Sequence, residues 1–134
     1  MTEEDKKLLL KDLSSRFPYF TKVQIKNEIV ILDSICDDDG YYFNFIGDDR
    51  EGVNIENIKP YLFPLSSMTE EQKKEYNFWK HEVPVCHYEY GDVVEEVELF
   101  DSPESFEYLI ENHFDYRGLI EKGLAIDATN KNIY

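Results

Sequence analysis

The apolar positions of the chain change their period as the sequence runs, and each change marks an element. Leu9, Leu13 and Phe17 recur every fourth residue, with Leu10 beside them, while Lys6, Lys7, Lys11 and Asp12 are read as facing away. That spacing predicts an amphipathic helix from about Glu3 to Ser15. Thr2 and Asp5 resemble a capping box with a shorter acid, and Glu3, Glu4 and Asp5 complement the positive end of the helix dipole. Pro18 ends the run.

The period then drops to two. Lys22 to Lys26 alternates, Asn27-Glu28 makes a turn, and Ile29 to Cys36 is β-branched and apolar. Asp37-Asp38-Asp39-Gly40 reads as an acidic turn, Tyr41 to Ile46 as a second β-prone run, and Gly47 to Gly52 as another hairpin closure. Val53-Asn54-Ile55 opens a last strand that stops near Pro60. Four strands with short polar turns predict an antiparallel meander or small barrel over residues 21–60. Tyr41, Phe43 and Phe45 share one face and are assigned to its core, whereas Tyr42 and Tyr61 are read as exposed.

Helical periodicity returns further on. Tyr61 to Ser67 reads as a proline-bearing connector, and Thr69 with Gln72 forms a capping box that opens a helix to about Lys80. Val83 to Cys86 and Val93 to Phe100 read as strands, the second alternating Val97 and Leu99 with Glu96 and Glu98. Pro103 stands at the first position of a helix carrying Phe106, Leu109, Ile110 and His113. Asp115 is expected to cap a short final helix through Glu121, ended by Gly123, and Asp127 to Tyr134 is read as a loose tail. The expected fold is α+β and one domain over 1–134. It has an N-terminal helix, the four-stranded meander or barrel, and a helix-rich, acidic region over 69–123 that adds one or two strands.

Composition narrows the classes of function. At 134 residues with 15% aromatics the chain has enough apolar mass for one packed core. Asp and Glu outnumber Lys and Arg 29 to 14, a formal net charge of −15. That field opposes phosphate backbones and anionic membranes, so neither nucleic acid nor membrane is an expected direct partner. Met1 to Lys7 shows no basic start leading to an apolar stretch, and the longest charge-free run, Pro60 to Thr69, is too short to span a bilayer. With two cysteines, Cys36 and Cys86, the expectation is a cytoplasmic protein with two reduced, buried thiols.

The candidate chemical motifs reduce to ordinary structure. Asp37-Asp38-Asp39-Gly40 lacks the alternating ligands and closing Glu of a helix-flanked calcium loop. Cys86 and His87 are adjacent, which on a strand sends them to opposite faces, and no paired zinc spacing accompanies them or His81 and His113. No glycine-rich phosphate loop occurs. No catalytic, cofactor-binding or metal-ligating residue is assigned. The distribution of charge is more specific: from His81 to Tyr116 there are eleven carboxylates and no Lys or Arg. Several alternate with apolar residues, as on an exposed strand face followed by a helix. The expected contact set for a partner is therefore Glu89, Asp92, Glu95, Glu96, Glu98, Asp101, Glu104 and Glu107, joined by Tyr42 and Tyr61 from the aromatic meander.

Three phrases carry a family resemblance. They are Lys6 to Arg16 with Pro18-Tyr19, Ile58-Lys59-Pro60-Tyr61-Leu62 with Pro64 to Thr69, and His113 to Ala125. Together they resemble a family of small uncharacterised proteins of gut Bacteroides-type bacteria and their phages or mobile elements. Phe17 and Phe20 stand where that opening phrase would carry Leu and Gly. The resemblance implies a cytoplasmic setting and a mobile-element role, and it transfers no catalytic residue. The functional expectation is a non-catalytic interaction or accessory protein that uses its acidic surface on a protein with a basic surface. The alternatives are a phage-type inhibitor that mimics nucleic acid, and a small-ligand binder or enzyme.

Overall fold

In the computed structural model the elements follow in chain order as α1 (Glu3–Arg16), a 3-10 turn (Phe17–Tyr19), β1 (Lys22–Ile25), β2 (Glu28–Asp37), β3 (Tyr41–Phe45), β4 (Val53–Asn54), a 3-10 turn (Ile55–Asn57), β5 (Lys59–Pro64), a 3-10 turn (Leu65–Ser67), α2 (Glu70–Trp79), β6 (His81–Glu89), β7 (Asp92–Phe100), α3 (Pro103–Glu111), β8 (Phe114–Asp115) and β9 (Ile126–Asp127). The structure describes residues 1–37, 41–50 and 53–134, Asp37 by its backbone alone. Most of the expected acidic turn, and the end of the turn before β4, fall outside the described residues. The chain parts into two compact units, residues 1–67 with 110–134, and residues 68–109.

The first unit is an α+β layer pair. Strands β1 to β4 each pair antiparallel with the next, and β5 returns antiparallel to the other edge of β1 through Val23↔Pro60 and Gln24↔Lys59. β8 and β9 both pair with β5 in parallel. Among the described residues β4 pairs with β3 alone, so the sheet stays open and does not close into a barrel. Leu9 and Leu13 of α1 pack with Val23, Ile25, Leu32, Phe43, Phe45 and Leu62, and Leu119 and Leu124 join them from the C-terminal segment. Each such side chain contributes about 1.5–3 kcal/mol on burial. The predicted cap of α1 is formed: the Asp5 amide donates to Thr2 Oγ1 at 3.1 Å, and the Thr2 amide donates to Asp5 Oδ2 at 3.1 Å.

Several expectations change. Asp12 is fully buried, because positions 9, 12, 13 and 16 form one helical stripe and Arg16 sits on it as well. Arg16 donates to the Asp12 carboxylate through Nε at 2.8 Å and Nη2 at 3.1 Å, and to the Phe114 carbonyl at 2.7 Å. Arg117 Nε lies 3.3 Å from the same carboxylate. The strand expected from Val53 to Pro60 is broken: Asn54 Oδ1 accepts the Glu56 amide at 3.1 Å and draws the backbone into a 3-10 turn. The ladder resumes at Lys59, so Tyr61 to Pro64 of the expected connector belong to strand β5, with Tyr61 and Leu62 buried, and only Leu65–Ser67 is a turn. Of the three aromatics assigned to the core of β3, Phe43 and Phe45 are buried and Tyr41 is exposed. Cys36 and Cys86, expected inside, are both exposed.

The C-terminal segment also departs from its reading. The final helix is replaced by turns, in which the Asp115 carboxylate accepts the amides of Leu119 and Ile120, each at 2.9 Å. The tail is tied down. The Ala128 amide donates to the Leu62 carbonyl at 2.8 Å, and the Tyr134 hydroxyl accepts the Lys22 amide at 2.8 Å and donates to the Tyr61 carbonyl at 2.9 Å. The His113 ring stacks on Tyr134 at 3.7 Å. Burial, reinforced by the cations of Arg16 and Lys22, pushes the His113 imidazole down to about 4. Tyr134 keeps 41% of its surface exposed, and burial of the remainder pushes its pKa up.

Candidate docking surface

The second unit consists of a two-helix frame and the hairpin it carries. Thr69 opens α2 with the predicted capping box, accepting the Gln72 amide at 3.1 Å while Gln72 Oε1 accepts the Thr69 amide at 2.9 Å. Ser102 opens α3: its Oγ accepts the Ser105 amide at 3.0 Å, and Ser105 Oγ accepts the Ser102 amide at 2.8 Å. Polar contacts join the two helices. Ser102 Oγ donates to the Trp79 carbonyl at 2.6 Å, Tyr108 OH donates to Glu75 at 3.0 Å, and the rings of Tyr76 and Tyr108 stack at 6.3 Å. Tyr76 OH also donates to Asp101, and burial together with this bond raises the Tyr76 pKa. Trp79 and Asp101, just outside the two strands, are thus held at the base of the hairpin.

The hairpin itself is regular. β6 pairs with β7 in unbroken register from Glu89↔Asp92 at the turn to His81↔Phe100 at the base. Tyr90 at φ 51° and Gly91 at φ 83° form the two-residue turn, both in the left-handed region that two-residue hairpin turns use. Gly91 adopts it without strain. Among its strand residues only Val85 and Val94 are even half-buried, so both faces meet solvent.

Strand alternation sorts the side chains. One face carries Glu89, Asp92, Glu96 and Glu98 among His81, Val83, Val85, His87, Val94 and Phe100. The other carries Pro84, Cys86, Tyr88, Val93, Val97 and Leu99, with Glu82 and Glu95 as its carboxylates. On that second face Tyr88 is 81% exposed, Val93 63% and Val97 65%. An acidic face therefore backs a mainly apolar one, and neither bears a Lys or Arg. Glu89 and Asp92, directly opposite across the strands, repel each other. His87 Nε2 lies 3.8 Å from Glu89, on their common face.

The expected contact residues divide accordingly. Glu89, Asp92, Glu95, Glu96 and Glu98 all lie exposed on the hairpin, as two sets rather than one row. Asp101 is exposed but engaged, accepting Tyr76 OH and Ser105 Oγ, the latter at 3.1 Å. Glu104 and Glu107 are exposed on α3. Tyr61, expected at the surface, is instead 5% exposed within β5, because the strand continues past Pro60 and draws it in. Tyr42 is half-buried and belongs, like Tyr61, to the first unit, where it borders a groove of about 380 Å³ lined by Lys6, Lys7, Leu10, Tyr41 and Asn54. Sequence reasoning missed the apolar face, although Tyr88, Val93, Val97 and Leu99 follow from alternation once the turn is placed at Tyr90-Gly91.

Among the described residues no three His, Cys, Asp or Glu side chains converge as a metal site. No helix among them is long and apolar enough to cross a membrane. No family model matches the chain, and no curated protein or solved structure is detectably similar to it.

Proposed function

We propose that this is a non-catalytic docking or accessory protein whose acidic hairpin engages a protein partner with a basic surface. The observation that carries the reading is the β6–β7 hairpin: six carboxylates, no Lys or Arg, and large apolar side chains exposed on a regular two-stranded sheet. Monomeric proteins seldom leave contiguous apolar surface open without an interaction to use it. The carboxylates select a cationic partner and speed encounter, and the apolar residues supply the contact area. A cytoplasmic or mobile-element setting belongs to the same proposal and determines where partners are sought.

Affinity capture with the full chain, at low and high salt, tests the reading against a variant with Glu89, Glu95, Glu96 and Glu98 changed to Gln and Asp92 to Asn. Exposed charges are screened within about 8 Å at physiological ionic strength, so capture weakens with salt and is lost in the neutralised variant. A neutralised hairpin that retains the same partners removes the docking reading. Displacement of the partner by DNA or RNA would instead identify a mimic of nucleic acid.

A further inference from the structure

The two edges of the hairpin are chemically unequal. In a two-residue hairpin the residues flanking the turn exchange both backbone hydrogen bonds, and bonded and non-bonded pairs alternate from there. Counting out from Glu89↔Asp92, the pairs His87↔Val94, Val85↔Glu96, Val83↔Glu98 and His81↔Phe100 bond inward. The amides and carbonyls of the intervening residues point outward, to the open edges. On β6 these are Glu82, Pro84, Cys86 and Tyr88; on β7 they are Val93, Glu95, Val97 and Leu99. The count is consistent with Pro84, which has no N–H and so fits only at an outward position.

Pro84 blunts the β6 edge, since a strand added there would miss its central donor. The β7 edge carries a full set of four outward N–H and C=O pairs, and within the described residues this sheet has two strands only. The side chains beside that edge determine what can pair with it. A strand laid along β7 would place alternate side chains next to Asp92, Glu96 and Glu98, with Val94 and Phe100, on one face, and next to Val93, Val97 and Leu99, with the single carboxylate of Glu95, on the other. A second copy of β7 would set carboxylates against carboxylates, on a chain that already carries a net charge of −15. Charge complementarity thus opposes self-pairing and favours a cationic strand.

Resting on the docking reading above, we infer that the partner binds by adding an extended strand to the β7 edge, one that alternates Lys or Arg with apolar residues. Backbone hydrogen bonds give affinity in this mode, and the alternating side chains give selection. Salt sensitivity then comes from one face of the added strand, and contact area from the other.

The test uses the full chain and a short, end-capped peptide alternating Lys and Val, followed by amide hydrogen exchange and chemical-shift titration. At saturation the amides of Val93, Glu95, Val97 and Leu99 exchange at least about tenfold more slowly, while those of Glu82, Cys86 and Tyr88 are unchanged. A peptide of the same composition with Lys and Val in separate blocks, and one N-methylated at alternate residues, each bind about tenfold or more weakly. Glu95→Pro abolishes the protection and Glu95→Ala keeps it; the N-methylated peptide makes the same point without relying on a variant that folds. Protection along β6, equal binding of the blocked peptide, absence of binding, or a dimer that forms through β7 would each overturn strand addition. None of these outcomes touches the docking reading, which stands or falls on the neutralised hairpin.

Discussion

Replacing Asp12 by Ala would remove a carboxylate that serves two guanidinium groups inside the first unit. Arg16 would lose hydrogen bonds of 2.8 and 3.1 Å and keep the one to the Phe114 carbonyl and its place over the Tyr116 ring, while its Nη1 has no hydrogen-bond partner among the described residues even in the intact protein. Its side chain is fully buried, so bulk water does not solvate the charge left behind. Arg117, with 18% of its side chain exposed, can turn to solvent and adds less. Breaking a buried pair from one side costs about 3–5 kcal/mol, because the remaining charge stays desolvated, and about 4 kcal/mol is expected here. Far-UV circular dichroism during urea unfolding measures it. With a denaturant slope of about 2 kcal/mol per molar, the midpoint falls by about 2 M. The double change Asp12→Leu with Arg16→Met removes both charges and should recover most of the loss, to within about 1–2 kcal/mol of the parent. A single variant that loses less than about 1 kcal/mol, or a double variant no better than the single, would refute a buried, mutually dependent cluster.

Four further outcomes follow from local geometry. His113 titrates near 4 in the folded chain and near its ordinary value when unfolded, so the unfolded state binds more protons between those pH values. Its contribution is complete above about pH 6.5 and lost as pH falls toward 4, about 2 kcal/mol after allowing for partial solvent screening, and His113→Asn should flatten stability across that window. Phe20 sits at φ 58° with 64% exposure, so Phe20→Gly should relieve left-handed strain and raise stability by about 1 kcal/mol in the same urea assay. Tyr134→Phe leaves the Lys22 amide and Tyr61 carbonyl without their shared hydroxyl and should cost about 1 kcal/mol, with faster amide exchange at Lys22. Pro84→Ala restores a donor to the β6 edge and should increase self-association on sedimentation, whereas an unchanged sedimentation profile would show that this edge is guarded by other means.

Where a residue's neighbours in the chain determine its structure, the sequence was a good guide. Both threonine caps, the helices they open and the alternation of β1 to β3 lie within a few residues of their causes. Differences arise where a distant partner decides. Asp12 and Arg16 read as a solvent-facing pair one helical turn apart until the Phe114 carbonyl and Arg117 are placed against them, and Tyr134 reads as loose until Lys22, Tyr61 and His113 surround it. Pro60 and Pro64 suggested a strand end and a connector, because sequence cannot show that β1, β8 and β9 would pair with that segment. In the candidate surface the carboxylates were legible as composition. Their division between two faces was not, since it depends on the register set at Tyr90-Gly91.

The second unit interrupts the first between β5 and β8, and this arrangement imposes an order on synthesis. The hairpin and the contacts that join its two helices lie within residues 68–109, so their partners are all made before residues 110–134 emerge. The first unit must wait: Arg16 reaches the Phe114 carbonyl 98 residues away, and Lys22 meets Tyr134 across 112. During translation β5 is exposed before β8 and β9 exist to cover it, with Tyr61, Leu62 and Phe63 unprotected. Contacts of such long sequence separation form slowly, and an unpaired apolar strand is prone to mispairing while it waits. The nascent chain is therefore most vulnerable in the very segment that ends as the junction of the sheet.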